Sequence, residues 1–264
     1  MVRFSQNFLV NKSLLPKIIE AADLSSEDIV VEIGPGRGIL TEQLCQKVQK
    51  VIAFEIDDSL IPDLEKLQQK YSNLKIINAD FNQIDWRQYI KSKKYKIVAN
   101  IPYHVTGLIF RNIFQHGLSL PQSVVLMIQY EVAKKIIAAP DNQTKLSNLI
   151  NAYGQPKLIC KVDKSAFRPI PKVDSAVLAV DNIKTPDADN FEDFFRLIKI
   201  GFSSRRKTIL NNLSSGYKIP KDQIKNILTE AQIDPTRRAQ TLAQTEWKKL
   251  YYILENLKKV SSSK

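Results

Sequence analysis

Residues 29–38 read IVVEIGPGRG: a short, nearly all-apolar run holding one acid, followed by three glycines within five positions. An apolar run of this length bounded by glycine has the character of a buried strand. Glycines at its end let the chain turn tightly and let a ligand approach the main chain closely. A dinucleotide fingerprint, GxGxxG, would need its third glycine at position 39, where Ile39 stands. No Lys-Ser/Thr pair follows to make a P-loop. Two readings remain: a plain strand-to-helix turn, or a loop for a nucleoside ligand that lacks a pyrophosphate.

The same rhythm continues on the carboxyl side. VIAFEI (51–56), LKIINAD (74–80), YKIVANI (95–101) and SVVLMIQ (123–129) are strand-like, and amphipathic stretches lie between and after them at 39–48, 58–70, 105–116 and 130–139. Alternation of this kind predicts a parallel sheet with helices on both faces. KLICKVD (157–163) and DSAVLAV (174–180) are joined by KSAFRPIPK, whose two prolines and short length leave no room for a crossover helix. They are expected to pair as an antiparallel hairpin at the sheet edge. The polar stretch DNIKTPDADN (181–190) resembles a linker, and helical patterns follow at 191–202, 205–213, 221–231 and 246–259. The expected architecture is α/β: a Rossmann-like sheet over 1–182 and a small all-helical domain over 190–260.

The formal net charge is +12, and its distribution is uneven. Residues 1–195 carry 24 basic and 22 acidic side chains, whereas residues 196–264 carry 15 and 5. A segment of one sign sets up a field that attracts polyanions, nucleic acid before an anionic membrane. Cys45 and Cys160 have no CxxC or histidine neighbour and fit reduced core residues, so no disulfide and no metal site are expected. The amino-terminal residues lack the apolar segment of a signal peptide, and no run approaches a membrane span. A cytoplasmic protein is expected.

Two further acids bear on the glycine loop. Glu55 closes the second strand, where a carboxylate can accept ribose hydroxyls, and Asp80 closes the third beside Phe81, where it can accept from an exocyclic amine. Either acid alone is as well explained as a helix cap. Three sites at the carboxyl ends of successive parallel strands point instead to a ligand, S-adenosylmethionine rather than a nucleotide, because this architecture binds ligands there. The fourth strand ends on Asn100-Ile101-Pro102-Tyr103. The Asn100 side-chain oxygen suits an exocyclic base amine: hydrogen bonds from its N–H groups favour a pyramidal nitrogen with an available lone pair. Pro102 stiffens the loop without competing as a donor. Tyr103 offers a ring on which an extruded base can stack. The alternative is a structural Asn-Pro turn with a locally packed tyrosine.

FSQNFL (4–9), EIGPGRG (32–38), FEID (54–57), NADF (78–81), NIPY (100–103), FRPIPKVDSAV (167–177) and FSSRRKTILNNL (202–213) occur in this order. In this the chain resembles the ribosomal RNA adenine N6-dimethyltransferases, the dimethyladenosine transferase (KsgA-type) family, over nearly its whole length. The resemblance implies that Asn7, Leu9, Gly34, Gly36, Glu55, Asp80 and Asn100 contact S-adenosylmethionine. It implies that Asn100, Pro102 and Tyr103 hold the target adenine and that Phe167 stacks on the adenine's other face. As read from its loop, Phe167 is equally a plug under Pro169 and Pro171. Ser5 stands where the family usually has glycine, and His104 follows NIPY where asparagine or tyrosine is frequent. No general base is required of His104.

Arg205, Arg206 and Lys207 are expected to open a helix, where positive charge opposes the dipole, a cost tolerated by a cluster that binds RNA phosphate. Arg237 and Arg238 are weaker RNA-binding candidates, as are Lys248 and Lys249, and Trp247 fits the core. FSSRRKTILNNL and DPTRRAQTL look more like the housekeeping branch of the family than the antibiotic-resistance branch, which modifies large-subunit (23S) rRNA. The implied reaction is dimethylation of two adjacent adenines in the 3′-terminal hairpin of 16S rRNA, within a precursor small ribosomal subunit, by a monomer. A non-catalytic assembly factor and a DNA adenine methyltransferase are the alternatives. The first is disfavoured by the intact site residues. The second is disfavoured by Asn-Ile-Pro-Tyr in place of Asp/Asn-Pro-Pro-Tyr.

Overall fold

Main-chain conformation follows the apolar runs closely in the computed structural model, which describes residues 6–90, 92, 94–115, 120–138, 142–185 and 191–262. Ser5 and residues 186–190, half of the 181–190 stretch, therefore lie outside the described residues. Contacts divide the chain into two units, residues 1–134 with 154–184, and residues 135–153 with 185–264.

The first unit holds a seven-stranded sheet among the described residues. Its strands are β2 (Ile29–Ile33), β3 (Lys50–Glu55), β4 (Leu74–Asn78), β5 (Lys96–Asn100), β6 (Val124–Gln129), β7 (Gln155–Val162) and β9 (Ser175–Asp181). Their spatial order is β4-β3-β2-β5-β6-β9-β7. The first five are parallel, and β9 enters antiparallel between β6 and β7. β7 is the edge strand, as its alternately exposed residues require, so the expected hairpin is present. The helices α2 (Ile39–Cys45), α3 (Ile61–Lys70) and α4 (Thr106–Gln115) occupy predicted positions, and α5 (Tyr130–Ile136) is shorter than the pattern suggested. A helix without a prediction, α1 (Leu15–Ala21), packs Leu15 and Ile18 into the core. The strand order reverses between β2 and β5, the switch point where open α/β sheets bind ligands.

Two short strands also went unpredicted. β1 (Phe8–Leu9) pairs antiparallel with β8 (Phe167–Arg168), apart from the main sheet. Two-residue strands have no periodicity to detect, and their partners lie far apart in sequence.

The second unit contains α6 (Lys145–Tyr153), α7 (Phe191–Gly201), α8 (Ile209–Tyr217), α9 (Lys221–Glu230) and α10 (Gln244–Ser262). Phe194, Ile198, Ile209, Leu213, Leu228, Leu250 and the fully buried Trp247 form its core, as expected of Trp247. The sequence suggested a single boundary near 181–190, whereas the contacts also group α6 with these helices. The helix expected from 205 begins at Ile209, because the Thr208 hydroxyl caps it by accepting from the Asn211 N–H at 3.3 Å. Arg205, Arg206 and Lys207 therefore precede the helix and lie in a turn. No described helix is long and apolar enough to cross a membrane.

Candidate active site and cationic surface

In the first unit the carboxyl ends of β2, β3 and β5, with the turn after β4, border a cavity of about 280 Å³. Asn7, Leu9, Gly34, Gly36, Glu55, Asp80, Asn100 and Pro102 all line it, with Glu32 and His104. The glycine loop is fixed by the main chain. The Gly34 N–H continues the ladder to the Phe54 carbonyl at 2.8 Å, and Gly34 and Gly36 adopt φ of +70° and +59°. A Cβ on Gly34 would meet no atom within 4 Å, so the chain there borders open volume. On Gly36 a Cβ would come within 3.2 Å of the Phe8 ring, over which the Arg37 guanidinium also lies at 4.6 Å. The segment carrying Asn7, Phe8 and Leu9 thus closes onto the loop, and the Val10 and Asn11 N–H groups donate to the Ala166 carbonyl.

Glu55 is buried and accepts three backbone N–H groups, from Gly36 at 3.0 Å, Ile56 at 3.0 Å and Asp57 at 2.9 Å. Burial raises its pKa and these bonds oppose the rise. Oε2, with one bond, keeps a lone pair for a ligand hydroxyl. The Asp80 carboxylate accepts the Asn82 N–H at 2.8 Å, and the neighbouring Phe81 stacks on Trp86 with centroids 4.7 Å apart. Asn112 supports this turn from α4, donating to the Phe81 carbonyl at 2.9 Å and accepting from the Trp86 indole at 3.3 Å.

Sequence reasoning counted Glu32 as part of the glycine motif but gave it no role. Its carboxyl is buried, Oε2 has no hydrogen-bond partner, and burial pushes the pKa up to about 8. An orphaned acid against a cavity fits a cationic ligand, and S-adenosylmethionine carries both a sulfonium and an ammonium. The donors, the acids and the open glycine loop fit that cofactor. Among the described residues no group of acids, histidines and cysteines is placed to hold a metal.

Asn100 closes β5 and faces the cavity, and Pro102 introduces a 3₁₀ turn over Tyr103–Val105. Tyr103 is half-buried outside the cavity lining, and its hydroxyl shares a 2.6 Å hydrogen bond with the buried Ser175 hydroxyl of β9. His104 is exposed at the cavity mouth. Phe167 requires a correction: it is fully buried among Leu9, Ala166 and Val177, with no free face for a base. Pairing of β8 with β1 draws the ring into the core, so it is the plug and not a stacking platform.

In the second unit Arg205, Arg206, Lys207 and Arg238 are exposed, and none of them forms an ion pair among the described residues. The Ile209 N–H donates to the Arg237 carbonyl at 2.7 Å, which brings the two basic segments together. Arg237 itself is a second correction. Its guanidinium makes a two-pronged contact with Glu246, one arm at 3.0 Å, and also bonds the Thr241 hydroxyl and carbonyl. A guanidinium committed to a partly buried carboxylate is a structural tie, not an open phosphate ligand.

A family model described as ribosomal RNA adenine dimethylase matches residues 2–255. The ribosomal RNA small subunit methyltransferase A of Dehalococcoides mccartyi is 42% identical over 248 residues, covering 93% of this chain and 85% of that protein. The protein of the same name from a Geobacillus species is 38% identical over 264 residues, covering 96% and 90%. Among solved structures, a dimethyladenosine transferase from Plasmodium falciparum superposes with a TM-score of 0.76 at 31% identity, covering 96% of this chain and 98% of that one. The 23S rRNA methyltransferase ErmE superposes at 0.73 with 24% identity, covering 94% and 100%, which is a likeness of fold.

Proposed function

The chain belongs to the ribosomal RNA adenine dimethylase family, and from this we infer that it is an S-adenosylmethionine-dependent rRNA adenine N6-dimethyltransferase. As its substrate we propose two adjacent adenines in the 3′-terminal hairpin of 16S rRNA, met in the cytoplasm within a precursor small subunit. The observation that carries the reading is the gathering of Asn100 and Pro102 with seven cofactor-facing residues, Asn7, Leu9, Glu32, Gly34, Gly36, Glu55 and Asp80, around one cavity. The relatives named for the small subunit favour 16S over 23S rRNA, since the likeness to ErmE extends to fold alone.

When bound, S-adenosylmethionine supplies an electrophilic methyl group on sulfur. Glu55 Oε2 and the Asp80 carboxylate would hold its ribose and adenine, and Glu32 would meet its positive charge. The adenine N6 amine is a weak nucleophile because its lone pair is delocalised into the ring. The Asn100 side-chain oxygen accepts an N6–H and favours the pyramidal nitrogen. Tyr103, its hydroxyl tied to Ser175, presents its ring to the flipped base. Catalysis is then positioning and electrostatics, with no strong general base.

Mass-spectrometric mapping of dimethyladenosine in rRNA from cells with and without this protein tests the proposal. Loss of both modifications from the 16S 3′ hairpin is expected. Loss from 23S rRNA, or no loss at all, overturns it.

A further inference from the structure

Asn212, in α8, is 1% exposed, yet its amide is spent on the chain that leads into the helix. Nδ2 donates to the Gly201 carbonyl at 2.6 Å and to the Ser204 carbonyl at 3.0 Å, and Oδ1 accepts from the Ser203 hydroxyl at 3.2 Å. One side chain therefore pins the end of α7 and the first residues of the loop that carries Arg205, Arg206 and Lys207. Those three exposed cations repel one another. They also lie within four residues of the amino end of α8, where the helix dipole disfavours positive charge. Electrostatics would let the loop swing away, and the Asn212 bonds oppose that. On the far side, the Ile209–Arg237 main-chain bond sets the exposed Arg238 alongside, while the Arg237 side chain stays on Glu246.

We propose that Asn212 is a positioning residue for RNA binding: it holds residues 203–207 so that Arg205, Arg206 and Lys207, with Arg238, form one patch for backbone phosphates. The proposal rests on the RNA-binding reading of that cluster. An amide suits the task because it donates twice and accepts once, whereas a carboxylate would leave two carbonyls without donors. Fixing the loop before RNA arrives reduces the ordering cost paid on binding.

The test measures affinity for the 3′-hairpin RNA across a salt series with the full chain. It compares Asn212→Ala, the triple variant Arg205→Ala/Arg206→Ala/Lys207→Ala, and their combination, with cofactor affinity and Tm recorded for each. Asn212→Ala is expected to weaken RNA binding ~10-fold and to lower the salt slope by about one phosphate contact, on the order of 0.7–0.9. Cofactor affinity should stay unchanged, and the combined variant should bind no worse than the triple. Wild-type affinity and slope in Asn212→Ala, or additive losses in the combination, mean that Asn212 serves the fold alone and overturn the proposal. If the triple variant itself binds RNA normally, the RNA reading of the cluster fails first. Should Asn212→Ala not fold, Ser203→Ala removes only the hydroxyl bonded to Oδ1. A smaller loss of slope is then expected, and an unchanged slope overturns the proposal.

Discussion

The cavity and the cationic surface are held by opposite means. Around the cavity the backbone does the fixing: Glu55 is clasped by three main-chain N–H groups, Gly34 extends a strand ladder, and Asn100 is the last residue of β5. At the cationic surface the charges project from a turn, and side chains hold that turn, chiefly Asn212 and the Thr208 cap. A site fixed by main chain tolerates changes in neighbouring side chains but loses function when its own chemistry is altered. A surface fixed by side-chain tethers loses function by degrees.

Asn100→Ala should give the largest effect and is the sharpest way to break this contrast. Methyl incorporation is expected to fall by roughly 10³-fold or more, because the variant loses the acceptor that orients the amine. RNA affinity should stay within a few-fold, because the proposed phosphate contacts belong to the cationic surface. Retained turnover would remove Asn100 from the active site. Next comes charge reversal of Arg205, Arg206 and Lys207, expected to weaken RNA binding by ~10²-fold and to flatten its salt dependence. Cofactor affinity is the control, and an unchanged salt slope would refute phosphate contact by the cluster.

This contrast also explains what the sequence made legible. Strands β2 to β6 and the residues at their ends follow from period and composition, so most of the named residues that line the cavity could be picked out from their places at strand ends and in motifs. Phe167 could not be placed, because its burial depends on β8 pairing with a two-residue strand some 160 positions earlier. Arg237 looked like a phosphate ligand because nothing local marks Glu246 as its partner. Glu32 went without a role because an acid inside a strand carries no sequence sign of being unpartnered. One miss is a main-chain pairing distant in sequence, one a side-chain tie nine positions along the chain, and one the lack of a partner, and none of these leaves a local pattern.

Glu32 gives a smaller effect and a pH test. Its folded pKa, about 8, lies above the ordinary 4.5, so the folded chain keeps a proton that the unfolded chain has lost between those values. The stability associated with that proton is complete below about 4.5 and drains away as pH rises toward 8. The Tm of the cofactor-free protein should fall across this window, with a limiting slope of ~1.4 kcal/mol per pH unit for one proton. Glu32→Gln should flatten the fall, and S-adenosylmethionine should reduce it in the native chain by favouring the carboxylate. An equally steep fall in Glu32→Gln would place the titrating group elsewhere.

The smallest expected effect tests whether the cavity rim, for all its main-chain fixing, also depends on a tether. The Tyr103 hydroxyl is bonded to Ser175, a buried residue outside the cavity lining. Ser175→Ala should cost about 0.5–1.5 kcal/mol of positioning, a roughly 2- to 13-fold drop in kcat/KM for RNA with cofactor affinity unchanged. Tyr103→Phe keeps the ring for stacking and removes the same bond, so it should show a similar loss. The double variant should be little worse than either, because both changes delete one interaction. Additive losses would mean that the two hydroxyls act separately, and the rim would then rest on its backbone alone.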